Sequence, residues 1–562
     1  MAHQFKPVDR DAEMLLPHNM LDWVPESHAV RVVTGTVEQL VTRDLVARLA
    51  PPAPKGSAAG PARYDPVMLL TVWMYAYLRG VLSTRAAEDR CRYDATFRFA
   101  CGRAVPDHTT FARFRQHLFA QPGLAEDLFF KILHVCACAG LGRLSVVAGD
   151  GVKIAANASK EANRTEDGLR KLAGKVMAGA RQAAAAGEAH QPPPGTDLLL
   201  GADTVPGPDP RSRAGRIAAC LDELHREREA AEAAAREQGR AYLEAAAAGT
   251  ASGRPPAAVA LAAARLRLEE AITAEQAVLA DWQARRAAGQ RAARRPADPG
   301  AGRKARKARA RMEALQAAAA ADPGTPARRR HRKAEAPQRN ITDPDSRLLP
   351  VRGGGFTQGY NCQDAAAGDR LMLGGYACQD TGDVQQEQQL AQIAEKGAAV
   401  VAAGHAAHAG DPALLSRCHR RLCPLPRAGK TSPDHDAAAC HHAMTSGIGV
   451  LVEDAGYHSE ANLTAPGPPR LIADGKTRDV LKQEDNQPAA DDSPVTANAR
   501  RLRTAQGRAA YKRRAPDVEG LHASLKDDGG LRRFSLRGLR NATSEFLFAG
   551  TAHNLRLLAA IS

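Results

Sequence analysis

Apolar residues in the first quarter of the chain recur at helical spacing. Residues 64–78 read YDPVMLLTVWMYAYL, and Pro66 stands where the first turn of a helix tolerates proline. A second helix is predicted just beyond residue 106, because Phe111, Phe114 and Leu118 fall on one face. The region up to about residue 145 is therefore predicted to be all α-helical.

The pattern becomes strand-like after residue 144 and again beyond residue 340. Short apolar runs at five places predict buried strands: 145–148, 360–367, 371–378, 449–452 and 471–473. A helix is predicted over 384–402, between the third and fourth runs. Asp150 stands two residues after the first run and Asp454 two residues after the fourth. Both acids are thus expected at strand ends.

Between about residues 170 and 335 the composition shifts to alanine, glutamate and arginine. Residues 216–248 and 257–294 are predicted to form long exposed helices, arranged as an antiparallel coiled hairpin. Two basic clusters follow, at 303–311 and 328–333. A solvated charged face is one explanation of these clusters, but so many cations without balancing acids favour contact with DNA phosphates.

Charge and composition restrict the function further. The 562 residues contain 77 Lys and Arg against 62 Asp and Glu, a formal charge of +15, which predicts a polyanionic partner such as nucleic acid. The longest apolar stretch, 67–78, is too short to cross a bilayer, and the beginning of the chain lacks a signal-peptide core. We therefore expect a cytoplasmic protein without membrane association. Ten cysteines in a chain of this length indicate reduced thiols.

Three carboxylates are candidates for catalysis: Asp150, Asp454 and Glu519, the last in a basic helical segment with Arg514 and Lys526. Carboxylates brought together at a sheet edge suit Mg²⁺, and paired Mg²⁺ ions stabilise the attacking and leaving oxygens in phosphodiester displacement. Cations are needed beside such a site because acids alone repel a polyanionic substrate.

Other chemical sites fit the sequence less well. Gly475-Lys476-Thr477 and Gly429-Lys430-Thr431 lack the upstream glycine of a phosphate-binding loop. A zinc site would need a CxxC pair, which is missing among Cys418, Cys423, Cys440, His441 and His442. No tyrosine follows Tyr511, so a recombinase with a downstream tyrosine nucleophile is excluded.

Short motifs spread over most of the chain resemble one known family. They are FKPVDR at 5–10, YDP at 64–66, PDHTTFARFR at 106–115, GDGVKIAANAS at 149–159, NITDPDSR at 340–347, QGYN at 358–361, DAGY at 454–457 and HNL at 553–555. In this order they resemble the DDE transposases of bacterial insertion sequences, in the branch with an N-terminal helical domain and a coiled insertion in the catalytic domain. The family pattern of Tyr, Arg, Glu and Lys is similar to Tyr511, Arg514, Glu519 and Lys526.

The resemblance implies an α/β fold, namely an RNase H-like catalytic core with a long helical insertion, preceded by an all-α domain. The expected segments are 1–140 (helix-turn-helix-like DNA-binding domain), 141–170 (first part of the core), 171–335 (coiled insertion) and 336–562 (remainder of the core). Asp150, Asp454 and Glu519 would bind two Mg²⁺ ions, with Mn²⁺ as a substitute. From the residues alone, Arg113 and Arg115 point away from the buried face of their helix, which suits a helix-turn-helix-like DNA reader; an ordinary amphipathic bundle with solvated arginines explains them equally well. Together with Arg514 and Lys526 they are the expected DNA contacts.

The implied activity is strand cleavage at the terminal inverted repeats of the element, followed by strand transfer to target DNA by a homodimer associated with the nucleoid. Two departures from the family pattern keep alternatives open: Glu453 precedes Asp454 where the family usually has alanine, and 520–524 replace the usual residues after Glu519. The alternatives are a catalytically inactive DNA-binding remnant that represses its element, and an RNase H-like nuclease without strand transfer.

Overall fold

A computed structural model describes residues 19–50, 63–102, 104–185, 212–251, 253–290, 294–321, 337–351, 353–407, 447–475 and 493–561. These residues form two compact units. The first unit combines residues 1–161 with 345–562, and the second consists of residues 162–344.

In the first unit, the described residues between 19 and 138 form eight helices: α1 (Met20–Trp23), α2 (Ala29–Gln39), α3 (Arg43–Leu49), α4 (Pro66–Leu78), α5 (Thr84–Tyr93), α6 (Ala95–Ala100), α7 (His108–Ala120) and α8 (Leu124–Cys138). The helices predicted from the sequence are confirmed as α4 and α7. Asp65 caps α4 by accepting from the Val67 amide at 2.8 Å, and Asp107 caps α7 through Thr109 at 2.8 Å. Ten consecutive residues of α4 are buried, which explains its uniformly apolar sequence.

A six-stranded mixed sheet lies at the centre of the first unit. Its strands are β1 (Val147–Ala155), β4 (Arg347–Pro350), β5 (Phe356–Ala367), β6 (Met372–Cys378), β7 (Leu451–Glu453) and β8 (Arg470–Ile472). β5 pairs antiparallel with β1 along one edge and with β4 and β6 along the other. β7 is parallel to both β1 and β8. The four strands predicted beyond residue 340 are thus confirmed as β5, β6, β7 and β8.

The prediction for the first strand was wrong in its length. Instead of ending before Asp150, β1 pairs with β5 over nine residues, from Val147 to Ala155. Asp150 therefore lies in the middle of a strand, directly opposite Asp364. Glycines are typical of turns, but Gly149 and Gly151 lie within a strand, at positions where neighbouring side chains fill the space that a Cβ would need. A Cβ at Gly151 would meet Asp383 and Gln363 at 2.7 Å.

Helices cover both faces of the sheet. They are α13 (Glu387–Ala407), α14 (Glu460–Thr464), α15 (Pro494–Arg503), α16 (Ala505–Arg514), α17 (Gly520–Ala523) and α18 (Leu539–Ile561). One face carries α13, which packs so closely that a Cβ at Gly397 would meet the Leu373 carbonyl oxygen at 2.1 Å. The other face carries α16 and α18. The Asn554 side chain of α18 accepts from the Met372 amide and donates to its carbonyl, each at 2.9 Å, and so completes the bonding of β6.

The second unit contains α9 (Glu166–Ala185), α10 (Arg213–Ala247), α11 (Ala257–Ala287) and α12 (Arg303–Ala321), with the short antiparallel strands β2 (Asn163–Thr165) and β3 (Gln338–Asn340). Gly239 of α10 faces Ala263 of α11, whereas Arg236 pairs with Glu269 at 2.6 Å. Residue numbers rise along α11 as they fall along α10, so the predicted antiparallel hairpin is confirmed.

Several sequence expectations fall on residues outside the described ranges. They include the motif at 5–10, the basic cluster at 328–333 and the cysteine and histidine group at 418–442. No disulfide joins the cysteines at described positions. Among the helices of the described ranges, none has the length and apolar character needed to cross a membrane.

Candidate active site

The three predicted acids reach one point of the first unit from different elements. Asp150 comes from the middle of β1 and Asp454 from the residue directly after β7. Because β1 and β7 are parallel, with Ala148 opposite Val452, the two acids lie side by side on neighbouring strands. Glu519 reaches them from the helical segment that follows α16.

The Arg514 guanidinium lies among these three carboxylates. Its Nη2 is 2.7 Å from Oδ2 of Asp150 and 3.5 Å from Oδ2 of Asp454, and its Nη1 is 3.8 Å from Oε1 of Glu519. The Arg514 side chain is 7% exposed, whereas Asp454 and Glu519 are 39% and 58% exposed. The cluster therefore opens to solvent on the side of Asp454 and Glu519.

A local break from α-helical geometry aligns Arg514 with Glu519. Residues three or four apart share a face of an α-helix, but these two are five apart. The backbone from Ala515–Glu519 is a π-helix, in which hydrogen bonds run from residue i to i+5. This wider turn places both side chains on the side that faces the sheet. A second π-helix, Ser524–Asp528, contains Lys526.

Burial and charge act in opposite directions on the central pair. Burial raises the pKa of Asp150 to about 6, although the Arg514 charge pulls it down. For Arg514, burial opposes the charged form, but Asp150, Asp454 and Glu519 together hold the pKa of the guanidinium above its ordinary value. The arginine thus neutralises acids that would otherwise repel each other.

Asp364 and His522 form a second buried pair beside the site. Nε2 of His522 lies 2.8 Å from Oδ2 of Asp364, which is fully buried. Burial favours the neutral imidazole, but Asp364 and then Asp150 raise the pKa of His522 above its usual value. Sequence inspection missed this pair. Asp364 could have been noticed as a charge inside an apolar strand, and His522 as the residue one helical turn after Glu519.

Glu453 points away from the acids despite its position next to Asp454. Its Oε1 would lie 3.3 Å from a Cβ at Gly149, beside Leu390 of α13, on the opposite face of the sheet from Asp150. Both carboxyl oxygens are buried without a hydrogen-bond partner among the described residues, and burial raises the pKa of Glu453 well above its ordinary value. Burial therefore disfavours the charged form of Glu453, and its carboxyl group does not face the cluster.

The predicted DNA contacts fall into different environments. Arg113 is exposed on α7. The Arg115 side chain instead contacts other parts of the protein. Its Nη1 donates to the Leu82 carbonyl at 2.7 Å, and its guanidinium lies 5.2 Å from the centre of the Trp73 ring. These contacts engage Arg115 within the protein, and its role as a DNA contact stays a prediction. Lys526 is half-buried, and burial lowers the pKa of its ammonium group.

The oxygens of the three carboxylates are suitable ligands for a divalent cation, although in this structure the carboxylates surround the Arg514 guanidinium. Carboxylate oxygens are the protein ligands that Mg²⁺ prefers. Within the described ranges, no group of three or more His, Cys, Asp or Glu side chains is arranged to hold a metal ion. Arg514 supplies the positive charge at the point where the three acids meet.

Two family models match the chain. The model of the "Transposase domain (DUF772)" matches residues 18–117, which contain α1 to α6 and most of α7. The model of the "Transposase DDE domain" matches residues 477–559, which include Arg514, Glu519 and Lys526. No curated protein and no solved structure matches the chain.

Both matches are to transposase domains, one near each end of the chain, and together they support a DDE transposase of an insertion sequence. The DDE domain implies an RNase H-like fold, a DNA substrate and an enzyme that uses divalent metal ions. The mixed sheet with helices on both faces is consistent with that fold class.

Proposed function

We propose that this transposase binds the terminal inverted repeats of its element and carries out Mg²⁺-dependent cleavage and strand transfer. Asp150, Asp454 and Glu519 would hold the metal ions. The observation that supports this most directly is the convergence of the three acids on the Arg514 guanidinium. Residues from three distant parts of the chain meet at one partly open point of the surface.

Mg²⁺ bound by these carboxylates would stabilise the charge that develops on the attacking and leaving oxygens of the phosphodiester. Arg514 holds Asp150 and Asp454 close together and presents a guanidinium, whose planar donors suit a phosphate. Lys526 has no hydrogen bond or ion pair to any residue that the structure describes, so its ammonium group can take a phosphate oxygen. The Asp364–His522 pair lies behind Asp150, and Asp364 and Asp150 favour the charged imidazole there.

The remaining assignments belong to the same proposal. Residues 1–140 would read DNA through exposed cations such as Arg113, residues 171–335 would form the helical insertion, and 141–170 with 336–562 would form the catalytic core. Joining two transposon ends calls for two active sites, so the active complex is proposed to be a homodimer. It would work in the cytoplasm, on the nucleoid.

Asp454→Asn tests the proposal, with Glu453→Gln as a matched control at the next residue. Asp454→Asn should lower Mg²⁺-dependent nicking of duplex transposon ends by more than about 100-fold, because a metal ligand is lost. Glu453→Gln should stay close to wild type, since Glu453 faces the other side of the sheet, where burial disfavours its charged form. The assay uses labelled duplexes from the flanks of the gene and scores nicked and joined products.

Other results would support the alternatives. If the wild-type protein binds the ends but neither nicks nor joins them, the inactive DNA-binding remnant is the correct function. If it nicks without joining, the protein is a nuclease. Equal loss of activity in both variants would remove Asp454 from the proposed metal site.

A further inference from the structure

The second unit contains an open trough whose lining includes several cations. α11 packs against α10 and against α12, and a cavity of about 1500 Å³ lies along these three helices. Its floor consists of small apolar side chains of α11, among them Ala260, Ala264 and Ala271.

Five exposed cations line this trough: Arg254, Arg267, Lys304, Lys307 and Arg311. Among the described residues of its lining, Glu270 is the one acid. None of the five cations has an ion pair or hydrogen bond to another residue within the described ranges. Their charges are therefore directed to solvent, or to a ligand.

The other arginines on these helices provide a contrast. Arg240 lies 3.1 Å from Glu237 and Arg285 lies 2.9 Å from Asp281, so α10 and α11 compensate much of their own charge. α12 does not, because its sequence RKARKARARMEALQAAAAA has six basic residues and one acid. The imbalance is concentrated on the helix that forms one wall of the trough.

The spacing of the cations on α12 suits a polyanion with a regular repeat. Lys304, Lys307 and Arg311 are three and four residues apart and so follow one face of the helix. At a rise of 1.5 Å per residue they span about 10 Å, over which one DNA strand presents about three phosphates. The three α12 cations thus match the phosphates that one DNA strand presents over this length.

We infer that this trough binds the phosphate backbone of DNA, as a second DNA contact surface separate from the acid cluster. The inference rests on the proposed function, because it takes the substrate to be DNA, and it assigns the trough to backbone contact without base recognition. The excess of unpaired cations favours a nucleic acid over an apolar helix of a second copy, whose binding would leave these charges uncompensated.

The test compares two triple variants of the full-length protein that lose the same charge. Lys304→Gln, Lys307→Gln and Arg311→Gln together remove three trough cations. The matched control, Arg170→Gln, Arg240→Gln and Arg285→Gln, removes three arginines that are paired with acids on their own helices. Binding to a 30-bp duplex is followed by fluorescence anisotropy over a range of salt concentrations, in EDTA so that no cleavage occurs. Circular dichroism checks that helix content is unchanged.

The trough variant should bind about 10- to 100-fold more weakly than wild type at 100 mM salt, and the slope of log K against log salt should be shallower by about 3. The control should stay within about twofold of wild type. Equal losses in the two variants would overturn the inference, because they would indicate a general charge effect. Wild-type binding by the trough variant would also overturn it, and a loss of self-association in sedimentation would then identify the trough as an interface between copies.

Failure of this inference is distinguishable from failure of the proposed function. If the trough variant binds and nicks DNA like wild type, the trough assignment fails and the transposase activity stands. If wild-type protein binds no duplex at all, the proposed function fails together with the inference.

Discussion

His553 illustrates how a motif residue can serve the fold. It lies on α18, fully enclosed, with Nε2 2.8 Å from the Arg370 carbonyl oxygen and Nδ1 3.0 Å from the Ser524 hydroxyl. Nε2 therefore carries the proton and Nδ1 accepts from the serine. Burial lowers the pKa of His553 to about 4, so the imidazole is neutral. Protonation would place an unpaired charge in the core.

This geometry predicts a pH-dependent stability. Because the folded pKa is about 4 and the unfolded pKa about 6.5, the contribution of His553 is fully present above pH 6.5 and is lost as the pH falls towards 4. The loss should approach about 3 kcal/mol at pH 4. Urea denaturation at pH 7 and pH 5 measures it. His553→Gln should reduce the difference between the two pH values, whereas His225→Gln, on the exposed face of α10, should leave it as in wild type.

At the scale of elements, a buried ion pair ties α13 to β8. Nε of Arg470 donates to Oε1 of Glu387, and its Nη1 donates to the Ala465 carbonyl at 2.7 Å. Both side chains are almost completely buried. Burial raises the pKa of Glu387 even though Arg470 opposes the rise. The free-energy cost of removing these charges from water is thus large, and the pair stabilises the fold mainly while both partners are present.

Arg470→Met should therefore lower the free energy of unfolding by about 3–5 kcal/mol, because Glu387 would remain buried without its partner. The double variant Arg470→Met, Glu387→Met should be more stable than Arg470→Met alone. Urea denaturation of the wild type, both single variants and the double variant gives the coupling energy. Additive effects of the two substitutions would contradict the ion-pair argument.

At the scale of the whole molecule, the two units have separate apolar clusters. The second unit contains a small one around Leu169, Ile217 and Leu224, whereas the main core extends through the first unit. The α10–α11 hairpin depends on close backbone approach, since a Cβ at Gly239 would lie 3.0 Å from the Ala263 nitrogen. The stability of this hairpin is thus decided by small side chains.

Gly239→Leu should force α10 and α11 apart and increase amide hydrogen exchange in both helices. Amides of β1, β5 and α18 should keep their wild-type protection, because their core is built from other residues. Hydrogen exchange followed by mass spectrometry measures both sets of peptides. Gly179→Leu, at a position of α9 where a Cβ would meet nothing within 4 Å, is the matched control and should change neither set.

Much of this arrangement could be predicted from the sequence. Helical spacing located α4 and α7, apolar runs located β5 to β8, and the alanine-rich composition located the α10–α11 hairpin, because these patterns reflect local propensity and burial. The extent of β1 could not be predicted in this way. Its glycines at 149 and 151 look like a turn, and only pairing with β5, more than 200 residues away, keeps the chain extended there.

The same distinction between local pattern and tertiary contact applies to the candidate site. The sequence by itself determined which acids and cations are available, since their identities and flanking motifs are local properties. Tertiary structure alone decided which of them meet: the register of β1 with β5 and β7 aligned Asp150 with Asp364 and Asp454, and a π-helical turn brought Glu519 to Arg514. It also turned Glu453 to the far face and packed Arg115 on Trp73. Contacts between residues far apart in the chain depend on register and packing, which no local pattern encodes.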